Sequence, residues 1–65
     1  MSFTDAIKAI LEGKHVTKEE WADKRHYGLL RDYILQIHKA GEDKDTTHPW
    51  ILSEEDLTGE DWIVL

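Results

Sequence analysis

The sequence predicts an α+β fold, with an N-terminal helix packed on a small antiparallel sheet that carries short helical turns. Three observations predict it. Apolar residues recur at helical spacing through Phe3, Ala6, Ile7, Ile10 and Leu11. Apolar and polar residues mix with period two in Tyr33-Ile34-Leu35-Gln36-Ile37-His38, the pattern of a strand. Ser53, followed three residues later by Asp56, is a helix-start signature set between two strand-like stretches.

In the first segment Asp5, Lys8 and Glu12 fill the polar side of the apolar stripe, which makes an amphipathic helix. Ser2 or Thr4 can cap it. Gly13 is its stop signal, and Lys14 adds a cation where the helix C-terminus is negative. A short extended piece follows at His15-Val16. Thr17 and Glu20 have capping-box spacing, with Val16 and Trp21 as its staple, so a single helical turn is expected to orient Trp21.

Ala22-Asp23-Lys24-Arg25-His26 reads as a loop, and Gly28-Leu29-Leu30 can enter a strand. In the strand Tyr33–His38, Tyr33, Leu35 and Ile37 are expected on one face and Ile34, Gln36 and His38 on the other. Gly41 through Thr47 has turn formers and charges but no apolar residue, the composition of an exposed hairpin loop. Pro49 favours an edge or a first position in the next strand. In the capped turn from Ser53 to Leu57, Leu52 and Leu57 form the staple and Gly59 is placed for a left-handed ending. Trp62-Ile63-Val64-Leu65 closes the pattern as a final strand. Ile34, Ile63 and Leu65 leave the second sheet face apolar enough to want a partner.

The 65 residues fit a single domain, 1–65, with a small core. A chain this short buries only about 60% of its unfolded surface, so self-association is the expected supplement once the absence of cysteine removes disulfides. Eight Lys and Arg against 14 Asp and Glu give a net charge of -6, which repels long nucleic acid but leaves room for one small phosphorylated ligand beside local cations. No apolar run is long enough to span a membrane, and no signal peptide is read, so a cytoplasmic protein is expected.

Four histidines, His15, His26, His38 and His48, lack the i, i+4 spacing of a helical metal site and read as surface imidazoles; no metal and no cofactor is expected. Asp56 and Asp61 could form an acid and base pair, but Asp56 stands where a capping partner belongs, and Glu54 and Glu55 suit the positive first turn of a helix. No nucleophile elbow, Walker loop or cysteine nucleophile is present, so the reading is of a non-enzyme. Three tryptophans carry more signal, because Trp is enriched where an aromatic plane meets a ligand or partner. Trp62, in a terminal strand, is assigned to the core. Trp21 and Trp50 divide between core and the rim of a pocket. Lys14, Lys18, Lys24 and Arg25 place cations near Trp21 in the sequence, and an aromatic plane with cations suits a nucleotide.

The order Phe3…Ala6-Ile7…Leu11…Gly13-Lys14…Val16…Trp21, then Tyr33-Ile34, then Pro49-Trp50…Ser53…Asp56-Leu57…Glu60-Asp61-Trp62 resembles the phage and prophage family of Thoeris anti-defence protein 2 over nearly the whole chain. The Pro-Trp, Ser, Asp and Asp-Trp spacing is its most specific part. The resemblance implies a sponge that binds, without cleaving, the cyclic ADP-ribose isomers, such as gcADPR, that Thoeris TIR proteins make as an alarm signal. Some relatives hold cyclic oligonucleotides of the CBASS type. It further implies a homotetramer or dimer with sites between subunits, acting in the cytoplasm of an infected bacterial host. By that analogy Trp21 stacks on a base, Asp56 or Asp61 accepts from ligand hydroxyls or amines, and basic groups meet the pyrophosphate. The expected ligand-binding set is Trp21, Trp50, Ser53, Asp56, Asp61, Lys14 and Arg25. A second class of function is an acidic protein-binding inhibitor of a host defence protein; a third is a hydrolase of the same signal.

Overall fold

A computed structural model describes residues 1–21 and 25–65. Helix α1 (Phe3–Leu11) leads into strands β1 (Val16–Lys18), β2 (Tyr27–Arg31), β3 (Ile34–Lys39) and β4 (Thr46–Pro49), then helix α2 (Glu54–Thr58) and strand β5 (Trp62–Val64). The strands form one antiparallel sheet in the order β4-β3-β2-β1-β5. This is the α+β arrangement expected. Ala22, Asp23 and Lys24, part of the expected loop, lie outside the described residues.

The Ser2 hydroxyl, rather than Thr4, caps α1 by accepting from Asp5 N at 3.3 Å. Its other end is a Schellman motif: Lys14 N donates to Ala9 O and Gly13 N to Ile10 O, both at 3.0 Å, with Gly13 at φ +89°. That left-handed conformation turns the chain sharply into β1.

Residues paired directly across a sheet share a face. One row therefore runs across all five strands as Val64, Val16, Gly28, Ile37 and His48. At the β1 and β5 end of this face α1 lays Ala6, Ala9 and Ile10, which form the core with Val16 and Trp62; Phe3, Ile7, Leu35, Val64, Trp21 and Trp50 pack around them. The small side chains Ala6 and Ala9 let the helix approach the sheet closely. Trp50 lies against Gly28, where a Cβ would collide with the indole ring, so only glycine admits Trp50 at this spot.

Several local expectations yield to the sheet. Thr17-Lys18-Glu19-Glu20 does not form a capped helical turn. Thr17 and Lys18 extend β1, pairing with Ile63 and Trp62, and the Thr17 hydroxyl donates to His26 O at 2.8 Å instead of capping. Pairing with β5 and the bond from Glu19 N to Asp61 O supply this segment with backbone partners that an isolated helical turn would leave to water. Trp21 is positioned by a turn in which its N–H donates to Lys18 O at 3.0 Å.

Tyr33 is likewise not in the strand. Asp32 (φ +54°) and Tyr33 (φ +65°) make the two-residue turn between β2 and β3, with the primed geometry that matches strand twist. The Tyr33 side chain is 101% exposed, whereas Leu35 and Ile37 face inward as expected. The hairpin loop is also shorter than Gly41–Thr47, because Thr46 and Thr47 pair with Lys39 and His38. Pro49 ends β4 instead of starting a strand, and β4 is the edge strand that proline favours. Gly59 is extended (φ -65°, ψ 148°), not left-handed.

Candidate functional site

The helix covers only part of the inner face. Beyond it, toward β3 and β4, lies a cleft of about 440 Å³. Ile37 and His48, the far end of the five-strand row, form its floor with Lys39 and His26. Trp21, Trp50, Pro49, Ile51 and Asp56 complete the lining.

The two tryptophans at the wall belong to a cluster of four rings. Trp21 meets Trp50 edge to face with centroids 6.4 Å apart, and each meets Trp62 in the same manner at 5.7 and 5.6 Å. Phe3 closes the cluster at 5.3 Å from Trp62 and 6.1 Å from Trp50. Such pairs add about 0.5 to 1.5 kcal/mol each beyond area burial, and here they fix the orientation of the half-buried rings. Trp62 is the core member, 2% exposed, and its indole N–H donates to Asp56 O at 3.1 Å. Trp21 and Trp50 serve both the core and the cleft.

Asp56 reaches the cleft from α2, where the expected capping box is present. Ser53 Oγ accepts from Asp56 N at 3.3 Å, and Asp56 Oδ2 accepts from Ser53 N at 3.2 Å. Ser53 thus orients Asp56 and is not itself among the lining residues. Asp61 is also outside the lining. Its Oδ2 accepts from Glu20 N at 3.2 Å and its backbone carbonyl from Glu19 N at 2.9 Å, so it braces the turn that presents Trp21.

Lys18 completes this brace. Its ammonium is 2.8 Å from Glu20 Oε1 and 3.9 Å from Asp61 Oδ1, and it sits 5.5 Å from the Trp62 ring centroid although the side chain is only 3% exposed. The hydrogen bond that Lys18 donates to Glu20 raises the Lys18 pKa, with further support from the charges of Glu20, Asp61 and Asp56, against the opposing effect of burial. Lys14 pairs with Glu12 at 3.8 Å near the end of α1, and Arg25 is exposed ahead of β2; neither is among the cleft residues. The structure therefore joins Trp21, Trp50 and Asp56 in one hollow, with Ser53 and Asp61 directly behind them.

Sequence reasoning missed Lys39, His26 and His48 as cleft residues, because its signal was proximity to Trp21 along the chain. Alternation along β3 and β4 could have put Lys39, Ile37 and His48 on a common face once the β3–β4 register was known. His15 and His38 instead stack on the two sides of Tyr27, at 4.4 and 4.7 Å, and His38 also contacts Thr47 Oγ1 at 3.0 Å and Asp45 Oδ2 at 3.2 Å. Among the described residues no group of three potential metal ligands converges, and no helix is long and apolar enough to cross a membrane.

Fold and site together define a small α+β domain with an aromatic-walled cleft beside its helix. The family model of the Thoeris anti-defense 2-like domain matches residues 1–65, and the chain belongs to that family. Among curated proteins none matches the chain.

Proposed function

We propose that this protein is an anti-defence sponge that binds a cyclic nucleotide alarm signal of the cyclic ADP-ribose type in this cleft and holds it without cleaving it. The observation that carries the reading is the convergence of Trp21, Trp50 and Asp56 on one hollow whose volume, about 440 Å³, falls within the usual range for small-ligand sites. Trp21 supplies a stacking plane for a base. Asp56, oriented by Ser53, offers a carboxylate oxygen to ligand hydroxyls or amines. A sponge needs affinity and abundance, and the bracing of Trp21 by Asp61 and Lys18 favours affinity by ordering the site before the ligand arrives.

The sponge acts in the cytoplasm of an infected bacterium as a homo-oligomer. Ile34, Ile63 and Leu65, all exposed, supply apolar surface for the contact between subunits. The acidic surface that suggested a protein-binding inhibitor has no counterpart inside the cleft, where Asp56 is the one acid among the described residues.

Calorimetry with cyclic ADP-ribose isomers, followed by mass spectrometry of material released on heating, tests the proposal. Intact ligand recovered in stoichiometric amount is the expected result. Cleaved ligand would make the protein a hydrolase, and no binding by any signal nucleotide would return the inhibitor reading. Stacking on an aromatic is worth about 1 to 3 kcal/mol, so Trp21→Ala should weaken binding by roughly 5-fold to 100-fold. A folded Trp21→Ala that binds as tightly as the parent would remove the stacking role.

A further inference from the structure

The cleft has two chemically different ends. One is aromatic, with Trp21 and Trp50 beside Asp56; the other gathers the nitrogen-bearing side chains Lys39, His48 and His26. We propose that this second end is a phosphate pole, which takes the pyrophosphate of the ligand while the tryptophans take a base. The assignment rests on the nucleotide-binding reading above and adds to it three residues that the sequence did not single out as ligand contacts.

Sheet register brings the three together. Ile37 pairs with His48 and Lys39 with Thr46, so His48 and Lys39 project from neighbouring strands on the same face, separated by alternation along each strand. Continuing the β2–β3 register one residue past Tyr27 and His38 sets His26 opposite Lys39. His26 Nε2 lies 3.4 Å from Ala40 O and His48 Nδ1 3.1 Å from Pro49 O, contacts that leave His26 Nδ1 and His48 Nε2 for a ligand.

The charge pattern points the same way. Lys14 has Glu12, and Lys18 has Glu20 and Asp61. Lys39, like Lys8, Arg31 and Lys44, has no ion-pair partner among the described residues, and of these four it alone lines the cleft. Asp56, the acid in the lining, already accepts from Ser53 N at Oδ2. A lysine ammonium without a carboxylate, next to two imidazoles in a concave site, favours a compact anion over a neutral or cationic group. Phosphate fits this set better than a planar carboxylate, since its oxygens diverge toward donors arriving from β3, β4 and the residue ahead of β2.

Two measurements test the pole. In the first, inorganic pyrophosphate is titrated into the parent protein and followed by NMR of the imidazole signals. His26 and His48 should shift, and Lys39→Gln should suppress the shift. In the second, Lys39→Gln and His48→Gln are compared with the parent for binding cyclic ADP-ribose and adenosine. Each variant should lose roughly 10-fold or more in affinity for the pyrophosphate compound, the worth of a hydrogen bond to a charged group, with no loss for adenosine. Both residues are exposed, and circular dichroism checks that the variants fold.

Imidazole signals that stay fixed in pyrophosphate would overturn the proposal, as would a Lys39→Gln variant that binds cyclic ADP-ribose like the parent. Pyrophosphate has no base to stack, so a pyrophosphate response without cyclic nucleotide binding would refute the sponge and keep the anion site. Cyclic nucleotide binding that ignores Lys39 and His48 would do the reverse.

Discussion

The two ends of one row of side chains behave differently. Val64 and Val16 lie under α1 and join a closed core, while Ile37 and His48, three and four strands from β5, floor an open cleft. The backbone ladder is the same throughout. What differs is the cover: α1 packs against β5, β1 and β2 and does not reach β3 and β4. A helix confined to one side of its sheet leaves a hollow on the other, and the aromatic cluster marks the border between core and cleft. Trp62 is on the closed side, and Trp21 and Trp50 share both. Burial in this protein is therefore a property of position along the sheet rather than of residue type.

The largest expected effect tests that border. Trp62→Ala removes a nearly fully buried indole together with its hydrogen bond to Asp56, which should cost about 3 to 5 kcal/mol and leave little cooperative melting in so small a chain. Trp21→Ala, at a half-buried position, should cost less than half as much. Equal losses in thermal melts would place Trp21 in the core and erase the distinction.

Next in size is the brace behind Trp21. Lys18→Met removes the cation shared by Glu20 and Asp61, with an expected loss of about 1 to 2 kcal/mol, discounted because Glu20 is exposed. The Lys18 pKa is raised in the folded protein, so its contribution is fully present below the ordinary lysine value of about 10.4 and fades as pH rises through the folded value. Denaturant titrations should show the parent losing more stability than Lys18→Met between neutral and strongly alkaline solution. Parallel losses would mean that the ion pair does not sustain the turn.

A smaller effect is expected at α2, which carries Asp56 on the open side. Ser53→Ala should cost about 1 kcal/mol, or about 4 to 8 °C in Tm at this size. It should also weaken ligand binding, because losing the bond from Asp56 N to Ser53 Oγ loosens the turn in which Ser53 N holds Asp56 Oδ2. An unchanged Tm would contradict the cap.

The smallest effect has the opposite sign and lies at an exposed turn. Tyr33→Gly relieves a non-glycine residue at φ +65° in the β2–β3 turn and should raise stability by about 1 kcal/mol or less, read as a higher denaturation midpoint. A loss would show that the exposed tyrosine makes up for its backbone strain.

The sequence by itself determined the elements whose signals are local. Spacing and the Gly13 stop fixed α1, the Ser53 and Asp56 pair fixed the start of α2, and the terminal Trp62 strand followed from its composition, because caps and helical faces are built from residues within four positions of one another. The tertiary structure decided what depends on distant partners. Thr17 to Glu20 has the letters of a capping box, yet β5 recruits Thr17 and Lys18 into the sheet, and Asp61, 41 residues away from Glu20, accepts the N–H that a helical turn would have used. The cleft is non-local in the same way. Trp21 and Asp56 could be proposed from the chain, but Lys39, His26 and His48 became neighbours only through strand register, since a sheet face is assembled from residues whose separation in sequence is set by the turns between strands.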